Sequence, residues 1–434
     1  MSRRLVNRLW LLLVLFMAGL PLYAQGGTDS GFSPYSVYGV GDLHFSGTAY
    51  NRSMGGVGVA ARTKRFVNIM NPASVTERDS LSFMADFGLS GRSTLYVQGD
   101  SRNLKNIMNI NDFVISFPLW RKTAFMVGIM PFSDMGFNMS YADKTVDGDE
   151  NIAYTGNRTY SASGNGSINQ FFAGGGITFW NRLSIGAQYT LLFGSLNKKS
   201  SVTFNDASYR SPVLGDSLQI TAHTVKLGVQ WEQPVSHSTY LTLGATYRLK
   251  AKMKGHATGY SNISEMDLGQ HEISDDNVSF GDELGVGFSF KNPDKWSWEM
   301  DYVRSDWSSS GFDAVRGFRN NGSVPFSASV AQSVRTGFEF TPNRNDIRYF
   351  LKRCTYRAGA YFDQSYYKVG GKNVSTIGIS MGMTLPVFQG ANGITLGVDL
   401  ARRGFGSNLV GENYLGFHVG FNIYDIWFRK TQYR

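Results

Sequence analysis

Cysteine is almost absent from this 434-residue chain, which contains only Cys354. A single cysteine excludes a disulfide within the chain and makes a cysteine-based metal site implausible. It also excludes a lipoprotein anchor, because no cysteine follows the apolar run near the N-terminus. The six histidines are scattered, with neither a metal-binding spacing nor a catalytic Ser-His-Asp pattern around them. The residues therefore predict no catalytic group, no metal site, no cofactor and no enzyme activity.

Long apolar runs are missing after residue 24. Before it, Arg3, Arg4 and Arg8 precede an apolar core from Leu9 to Leu20, which is typical of a signal peptide over residues 1–24. We expect cleavage after Ala24. Since no later segment reaches the roughly 20 apolar residues of a spanning helix, the sequence predicts export without a membrane helix.

Charged residues are also scarce, at 17% of the chain, whereas aromatic residues make up 14% and glycine occurs 50 times. This composition favours one large β-barrel over several soluble domains. The formal net charge of +9 is spread over turns and loops. That spread argues against a nucleic-acid partner and is typical of loops that contact lipopolysaccharide or water. The expected surroundings are a lipid bilayer and lipopolysaccharide.

From Leu81 onward, apolar residues alternate with small or polar ones, as in Leu183–Phe193 and Ile377–Leu385. This period of two predicts an all-β fold, a transmembrane antiparallel β-barrel of about 14 strands. The segment before it, which lacks such a period, is predicted to be an N-terminal lumenal hatch or plug inside that barrel. A soluble β-sandwich is the alternative, but its second face would carry more charge. The predicted domains are a signal peptide over 1–24, an N-terminal extension and hatch over 25–80, the barrel over 81–428 and a short basic periplasmic tail over 429–434.

The predicted hatch is rich in glycine, serine and asparagine and has no sustained strand or helix period. Its glycines would allow close packing against the inner wall, since glycine lacks a side chain and tolerates positive φ. Pro72 would fix a turn at the hatch exit, with Asn71 extended before it. The candidate hatch residues are Gly55, Gly56, Gly58, Asn71, Pro72 and Ala73.

Three features stand out: a cluster of small residues at Ser53–Gly56, an Asn-Pro-Ala segment at Asn71–Ala73 that ends the hatch, and an interruption of the third strand at Pro131–Gly136. In these features the chain resembles the FadL-type outer-membrane transporters of hydrophobic compounds. The ending Tyr414–Arg434 is similar to that of relatives from Bacteroidetes-type bacteria. The resemblance implies a lumenal hatch and a third strand that kinks inward and opens the wall sideways. The candidate residues of this lateral opening are Pro131, Phe132, Ser133, Asp134, Met135 and Gly136.

Two functions remain open for an outer-membrane barrel of this kind. The resemblance implies passive uptake of hydrophobic small molecules, such as long-chain fatty acids, with lateral exit. The polar outer loops, including residues 139–167, and the extended segment Gly26–Asp42 favour a non-transporting subunit of a secretion or assembly complex, with other outer-membrane proteins as partners. An apolar tunnel to a wall gap would favour transport, whereas a sealed polar interior would favour the subunit.

Overall fold

The wall is a closed antiparallel barrel of fourteen strands, as the sequence predicts, and three of the fourteen are interrupted. In this computed structural model each strand pairs with the next along the chain, and the last pairs with the first, from Ile426 opposite Ser82 to Gly411 opposite Val97. The described residues are 31–79, 81–143, 158–204, 210–262, 270–273, 276–293, 295–313, 315, 317–318, 324–387, 392–405 and 409–426. The predicted signal peptide and basic tail lie outside them.

The interrupted wall strands arise where two or three short strands in succession pair with the same neighbouring wall strand, which can itself be interrupted. The strands are β1 (Asp42–Leu43), β2 (Ser82–Gln98), β3 (Ser101–Trp120), β4 (Thr123–Asp143), β5 (Arg158–Phe179), β6 (Leu183–Phe204), β7 (Val213–Ser236), β8 (Thr239–Arg248), β9 (Ala251–Ser261), β10 (Gln270–Glu272), β11 (Ser279–Phe280), β12 (Asp282–Asn292), β13 (Trp296–Asp306), β14 (Phe326–Ala328), β15 (Val330–Phe340), β16 (Thr355–Val369), β17 (Lys372–Pro386), β18 (Gly393–Arg403) and β19 (Gly411–Ile426). Three wall strands are interrupted: β8 with β9, β10 and β11 with β12, and β14 with β15. Strand β1 is not part of the wall and pairs with β4.

Side chains alternate between the lumen and the outer surface, as the period of two predicts. In β2, Ser82, Met84 and Asp86 are buried, whereas the residues between them face outward and are half-buried. Exposed apolar side chains cover the outer surface all around the wall, which is the surface of a barrel that spans a membrane. Trp120 and Trp180 are more than three-quarters exposed at the end with the short turns, where an aromatic belt is expected.

The two ends of the barrel differ in their connections. At one end, here called the inner end, β3 to β4, β5 to β6 and β7 to β8 are joined by residues 121–122, 180–182 and 237–238. Short turns of this kind face the periplasm in outer-membrane barrels. At the opposite, outer end, β4 continues to Asp143 and β5 begins at Arg158, so part of the predicted polar loop 139–167 is strand. Backbone pairing continues there because it does not depend on apolar side chains.

Within the described ranges, the helices are short and lie outside the wall strands. They are α1 (Ala49–Arg52), α2 (Phe350–Arg353) and two 3-10 turns, Pro34–Val37 and Pro72–Thr76. Among the residues that the structure describes, no helix is long and apolar enough to cross a membrane.

Candidate functional site

The outer half of the lumen is filled by an aromatic cluster, here called the outer plug, formed by residues 33–41 together with residues 307–313, 315 and 317–318. The Tyr38 hydroxyl donates to Asp313 at 2.7 Å, and the Tyr366 hydroxyl donates to the Gly41 carbonyl at 2.7 Å. The backbone N–H of Gly39 donates to the Phe318 carbonyl at 2.7 Å. The large side chains that fill this cluster are buried, and they are Tyr38, Phe280, Trp307, Phe312, Phe318, Tyr366 and Tyr367.

The inner half is filled by residues 53–76, here called the hatch, which are held mainly by backbone hydrogen bonds to the wall. The N–H groups of Gly58 and Val59 both donate to one carboxylate oxygen of Asp301, at 2.6 and 2.9 Å. The N–H of Gly55 donates to Ser380 Oγ at 2.7 Å. Two buried backbone donors that share one lumenal carboxylate fix the hatch against β13.

The predicted hatch glycines lie in this contact. Gly55 and Gly56 have φ angles of +71° and +80°, a region that other residues rarely adopt. A Cβ on Gly55 would stand 2.5 Å from the Thr336 carbonyl oxygen of the wall. A Cβ on Gly58 would stand 2.5 Å from Met70 Sδ, within the hatch itself. Gly55 therefore meets both requirements, a positive φ and room for a close approach to the wall.

Asn71, Pro72 and Ala73 form the turn by which the chain leaves the hatch. Asn71 is extended, its side-chain oxygen accepts from the Ala73 N–H at 3.0 Å, and Pro72 opens the 3-10 turn. The Asn71 amide donates to the carbonyl of Val59 at 2.7 Å and to that of Val229 in the wall at 3.2 Å. Ala73 is fully buried. The structure thus brings Asn71, Pro72 and Ala73 together with the hatch glycines inside the lumen.

A cavity of about 360 Å³ lies between the outer plug and the hatch. Ion pairs line it: Arg403 binds both carboxylate oxygens of Asp42 at 2.7 Å, Arg335 binds Asp363 at 2.9 Å, and Lys226 binds Glu283 at 3.1 Å. Burial alone would raise the pKa of Asp42, but the Arg403 guanidinium outweighs it and holds that pKa below its usual value. The lumen is therefore filled at both ends and charged between them.

The wall is interrupted beside this cavity. Strands β3 and β4 pair only between Phe113–Trp120 and Thr123–Ile129. Beyond Ile129, β4 turns inward, and every residue from Phe132 to Phe137 is buried, so the alternation of the wall is lost. There β4 pairs instead with β1, with Asp42 opposite Asp134 and Leu43 opposite Ser133. The six residues Pro131–Gly136 thus lie on the part of β4 that bends into the lumen.

The first described residues lie between the separated strands. The N–H of Ser33 donates to the Gly136 carbonyl of β4 at 2.7 Å. On the other side, the Tyr96 hydroxyl donates to the Phe32 carbonyl, and Lys105 Nζ of β3 stands 5.3 Å from the centre of the Phe32 ring. We call this region the wall gap; residues 31–33 occupy part of it. The described part of segment Gly26–Asp42, which in the sequence favours a subunit with protein partners, lies inside the barrel, because apolar packing draws residues 33–41 into the outer half of the lumen.

Several residues that build this arrangement escape sequence reasoning. The connection 306–331 reads as a polar outer loop, yet Trp307, Phe312 and Phe318 within it are buried. The spacing of these aromatic residues in a serine- and glycine-rich stretch is the signal that could have revealed them. Asp301 and Arg403 are charged residues at lumen-facing strand positions, which is a signal for partners inside the barrel. Among the described residues, no group of three potential metal ligands comes together.

A sequence profile of one protein family matches the whole chain, over residues 1–434, and the description of that family is BamG. The chain belongs to the BamG family. No curated protein sequence matches the chain.

Solved structures share the fold of this BamG family member. A FadL homologue of Pseudomonas aeruginosa is similar with a TM-score of 0.56 at 10% identity, covering 89% of this chain and 99% of that chain. The CymD monoaromatic hydrocarbon channel has a TM-score of 0.56 at 14% identity, covering 89% and 98%. The Pseudomonas putida toluene transporter TodX has a TM-score of 0.54 at 17% identity, covering 90% and 100%. The predicted FadL-type resemblance is confirmed for the fold.

Proposed function

We propose that this chain is a non-transporting barrel subunit of an outer-membrane complex for protein secretion or assembly. The observation that carries this proposal is the filling of the lumen at both ends. An aromatic cluster occupies the outer half, and a hatch bonded to Asp301 and Ser380 occupies the inner half. A hydrophobic solute crossing the lumen would have to displace apolar packing and then pass through a charged cavity.

The charged cavity supports the same function. Arg403, Arg335 and Lys226 each hold a carboxylate there, and desolvating such groups with an apolar solute is unfavourable. In this role the barrel is a rigid membrane scaffold in the outer membrane that presents its ends to other proteins.

The test is purification of the tagged chain from native membranes in mild detergent, with mass spectrometry of the proteins and lipids that remain bound. A second tagged outer-membrane barrel from the same cells is the control for proteins that adhere to any barrel. We expect a stoichiometric set of outer-membrane partners on this chain alone and no apolar small molecule. A lone barrel that retains fatty acids or similar compounds would contradict the subunit role.

Passive uptake of hydrophobic small molecules with lateral exit is the second candidate, and the wall gap is the observation that favours it. Ile107 of β3 and Phe132 of β4, on opposite sides of the gap, both line the cavity. A ligand in the cavity would have a sideways route toward the bilayer past these residues. The variant Ile107→Trp would narrow that route. Uptake of a labelled fatty acid that falls in this variant, and not in a Leu104→Trp control on the outer surface, would support transport.

A further inference from the structure

One connection at the inner end is longer than its position requires. Residues 341–354 join β15 to β16, which are adjacent antiparallel strands. A hairpin of two residues is enough to join such strands, and residues 121–122 and 237–238 do so at the same end. The additional residues in 341–354 are therefore not needed to close the wall. We call this segment the docking loop.

The docking loop is held in one shape by its own contacts. The N–H of Asn343 donates to the Lys352 carbonyl at 2.9 Å, which closes the loop at its base. A carboxylate oxygen of Asp346 accepts from the N–H groups of Arg348 and Tyr349, at 2.9 and 2.7 Å. Lys352 Nζ stands 4.7 Å from the centre of the Tyr349 ring. A preformed loop loses less conformational entropy when it binds.

This ordered loop exposes apolar side chains at the inner end. Ile347 is 99% exposed, Leu351 63% and Tyr349 59%. Most charged residues of the same loop are cations, with Arg344, Arg348, Lys352 and Arg353 against the single carboxylate of Asp346. Exposed aliphatic and aromatic side chains in a loop with three arginines have the composition of a protein-binding surface.

Two features favour a protein over the bilayer as the occupant. Asp346 directly precedes Ile347, and its carboxylate accepts a hydrogen bond from the N–H of Arg348, which directly follows Ile347. Inserting Ile347 into hydrocarbon would therefore carry a carboxylate with it. The membrane contact of this barrel is already made by its apolar outer surface and by Trp120 and Trp180. Because the loop is predominantly cationic, the complementary surface is acidic.

We propose that the docking loop binds the periplasmic surface of a partner protein, at an apolar pocket with an acidic rim, an assignment that rests on the subunit role proposed above. Ile347 is the side chain that enters the pocket, and Arg344 and Arg348 face its rim. The loop then sets where this barrel sits within its complex.

The test places the photo-crosslinking residue benzoyl-phenylalanine at position 347 in the full chain, in living cells. The matched control carries it at Val235, which is 58% exposed at the end of β7. We expect one discrete protein adduct from position 347 and none from position 235, with the crosslinked peptide in an acidic segment of the partner. Adding Arg344→Glu and Arg348→Glu is expected to reduce the adduct at least tenfold. Heat-modifiable gel migration checks that each variant is folded.

Lipid adducts alone at position 347 would show that the loop anchors the barrel to the membrane and would overturn the proposal. An adduct that resists the charge reversal, or equal adducts at both positions, would also overturn it. The subunit role fails separately: if the unmodified chain retains no partner on purification, both assignments fall. If the Ile347→Asp variant, with or without Arg344→Glu and Arg348→Glu, retains the same partners as the unmodified chain, the subunit role stands and only the assignment of the docking loop is wrong.

Discussion

The outer plug and the hatch fill the same lumen by different physical means. In the outer plug, rings pack on one another: Phe312 and Phe318 stack with centroids 5.3 Å apart, and Trp307 and Tyr366 approach to 4.7 Å. In the hatch, backbone N–H groups bind wall side chains, and glycine permits close contact between the two main chains. Apolar packing is non-directional and depends on volume, whereas the hydrogen bonds depend on geometry.

The difference indicates which half could move. In the outer plug, the rings of Phe312 and Phe318 carry no polar atom and could rearrange without leaving a buried donor unpaired, whereas the Tyr38 and Tyr366 hydroxyls each donate a hydrogen bond. The hatch N–H groups now donate hydrogen bonds to Asp301 and Ser380, and movement of the hatch would break these bonds. Each N–H group left buried without an acceptor would cost about 1–3 kcal/mol. Arg403 joins the two regions, because its partner Asp42 follows the outer plug and precedes the hatch. Four predictions separate these contributions.

The largest effect is expected at that junction. Arg403→Met would leave the carboxylates of Asp42 and Glu412 buried without their cation, which costs about 3–5 kcal/mol. The lumenal segment should then lose protection from hydrogen exchange from residue 33 to residue 43. Arg402→Met is the matched control, since Arg402 is the exposed neighbour in the same strand. Equal protection in both variants would show that the ion pair does not hold the plug.

Removing one ring tests the outer plug alone. Phe312→Ala would leave a cavity among Tyr38, Phe318 and Tyr366, with an expected loss of about 3 kcal/mol of local stability. Hydrogen exchange should rise in residues 33–41 and stay unchanged in residues 54–60. Phe405→Ala, at an exposed ring, is the control. A rise spread over both regions would mean that the two halves unfold together.

Removing the shared acceptor tests the hatch. Asp301→Ala would orphan the N–H groups of Gly58 and Val59 and should destabilise the hatch locally by about 1–3 kcal/mol. Asp301→Asn keeps an acceptor oxygen and should restore most of the protection at these two amides. If the alanine and asparagine variants exchange equally fast, the carboxylate is not the element that holds the hatch.

The smallest effect concerns pH. The pKa of Asp42 is lower in the folded barrel than in the unfolded chain, where about 3.9 is usual. The stabilisation from its pair with Arg403 is therefore fully present above about pH 4 and is lost as the pH falls through the lower folded value. Protection of residues 33–43 should be constant from pH 7 to pH 5 and decrease below pH 4. In Arg403→Met this decrease should disappear, and its persistence there would assign the effect to another group.

The wall could be predicted from the sequence because its physical constraint is local and repeated. Alternation in stretches such as Leu183–Phe193 requires only that successive side chains face lipid and lumen in turn, and β6 does begin at Leu183. The position of the wall gap at Pro131–Gly136 was implied by the resemblance to FadL-type transporters, and Pro131, which cannot donate to a ladder, marks a break in the strand there. The extent of the gap was not predictable. Pairing between β3 and β4 ends at Ile129, and beyond it β4 pairs with β1, which lies far earlier in the chain.

The contents of the lumen were harder to predict because they depend on contacts between distant segments. Tyr38 meets Asp313 across 275 residues of sequence, and Gly58 meets Asp301 across 243. Neither pairing leaves a periodic signal. The hatch glycines and Asn71 could be proposed since positive φ and turn geometry limit residue choice locally. The shape of the docking loop depends on hydrogen bonds of Asp346 and Asn343 to the loop backbone. These bonds form only in the folded loop and leave no pattern in the sequence.

The filled lumen is tested most directly by uptake. A labelled long-chain fatty acid would be followed over minutes in a Gram-negative host that lacks its own hydrophobic-compound transporters, carrying this chain, a FadL-type transporter or an empty vector. If the barrel is a sealed subunit, uptake with this chain will match the empty vector while the FadL-type transporter raises it. Uptake above the empty vector that falls with Ile107→Trp would contradict the account and identify the wall gap as a route for hydrophobic molecules.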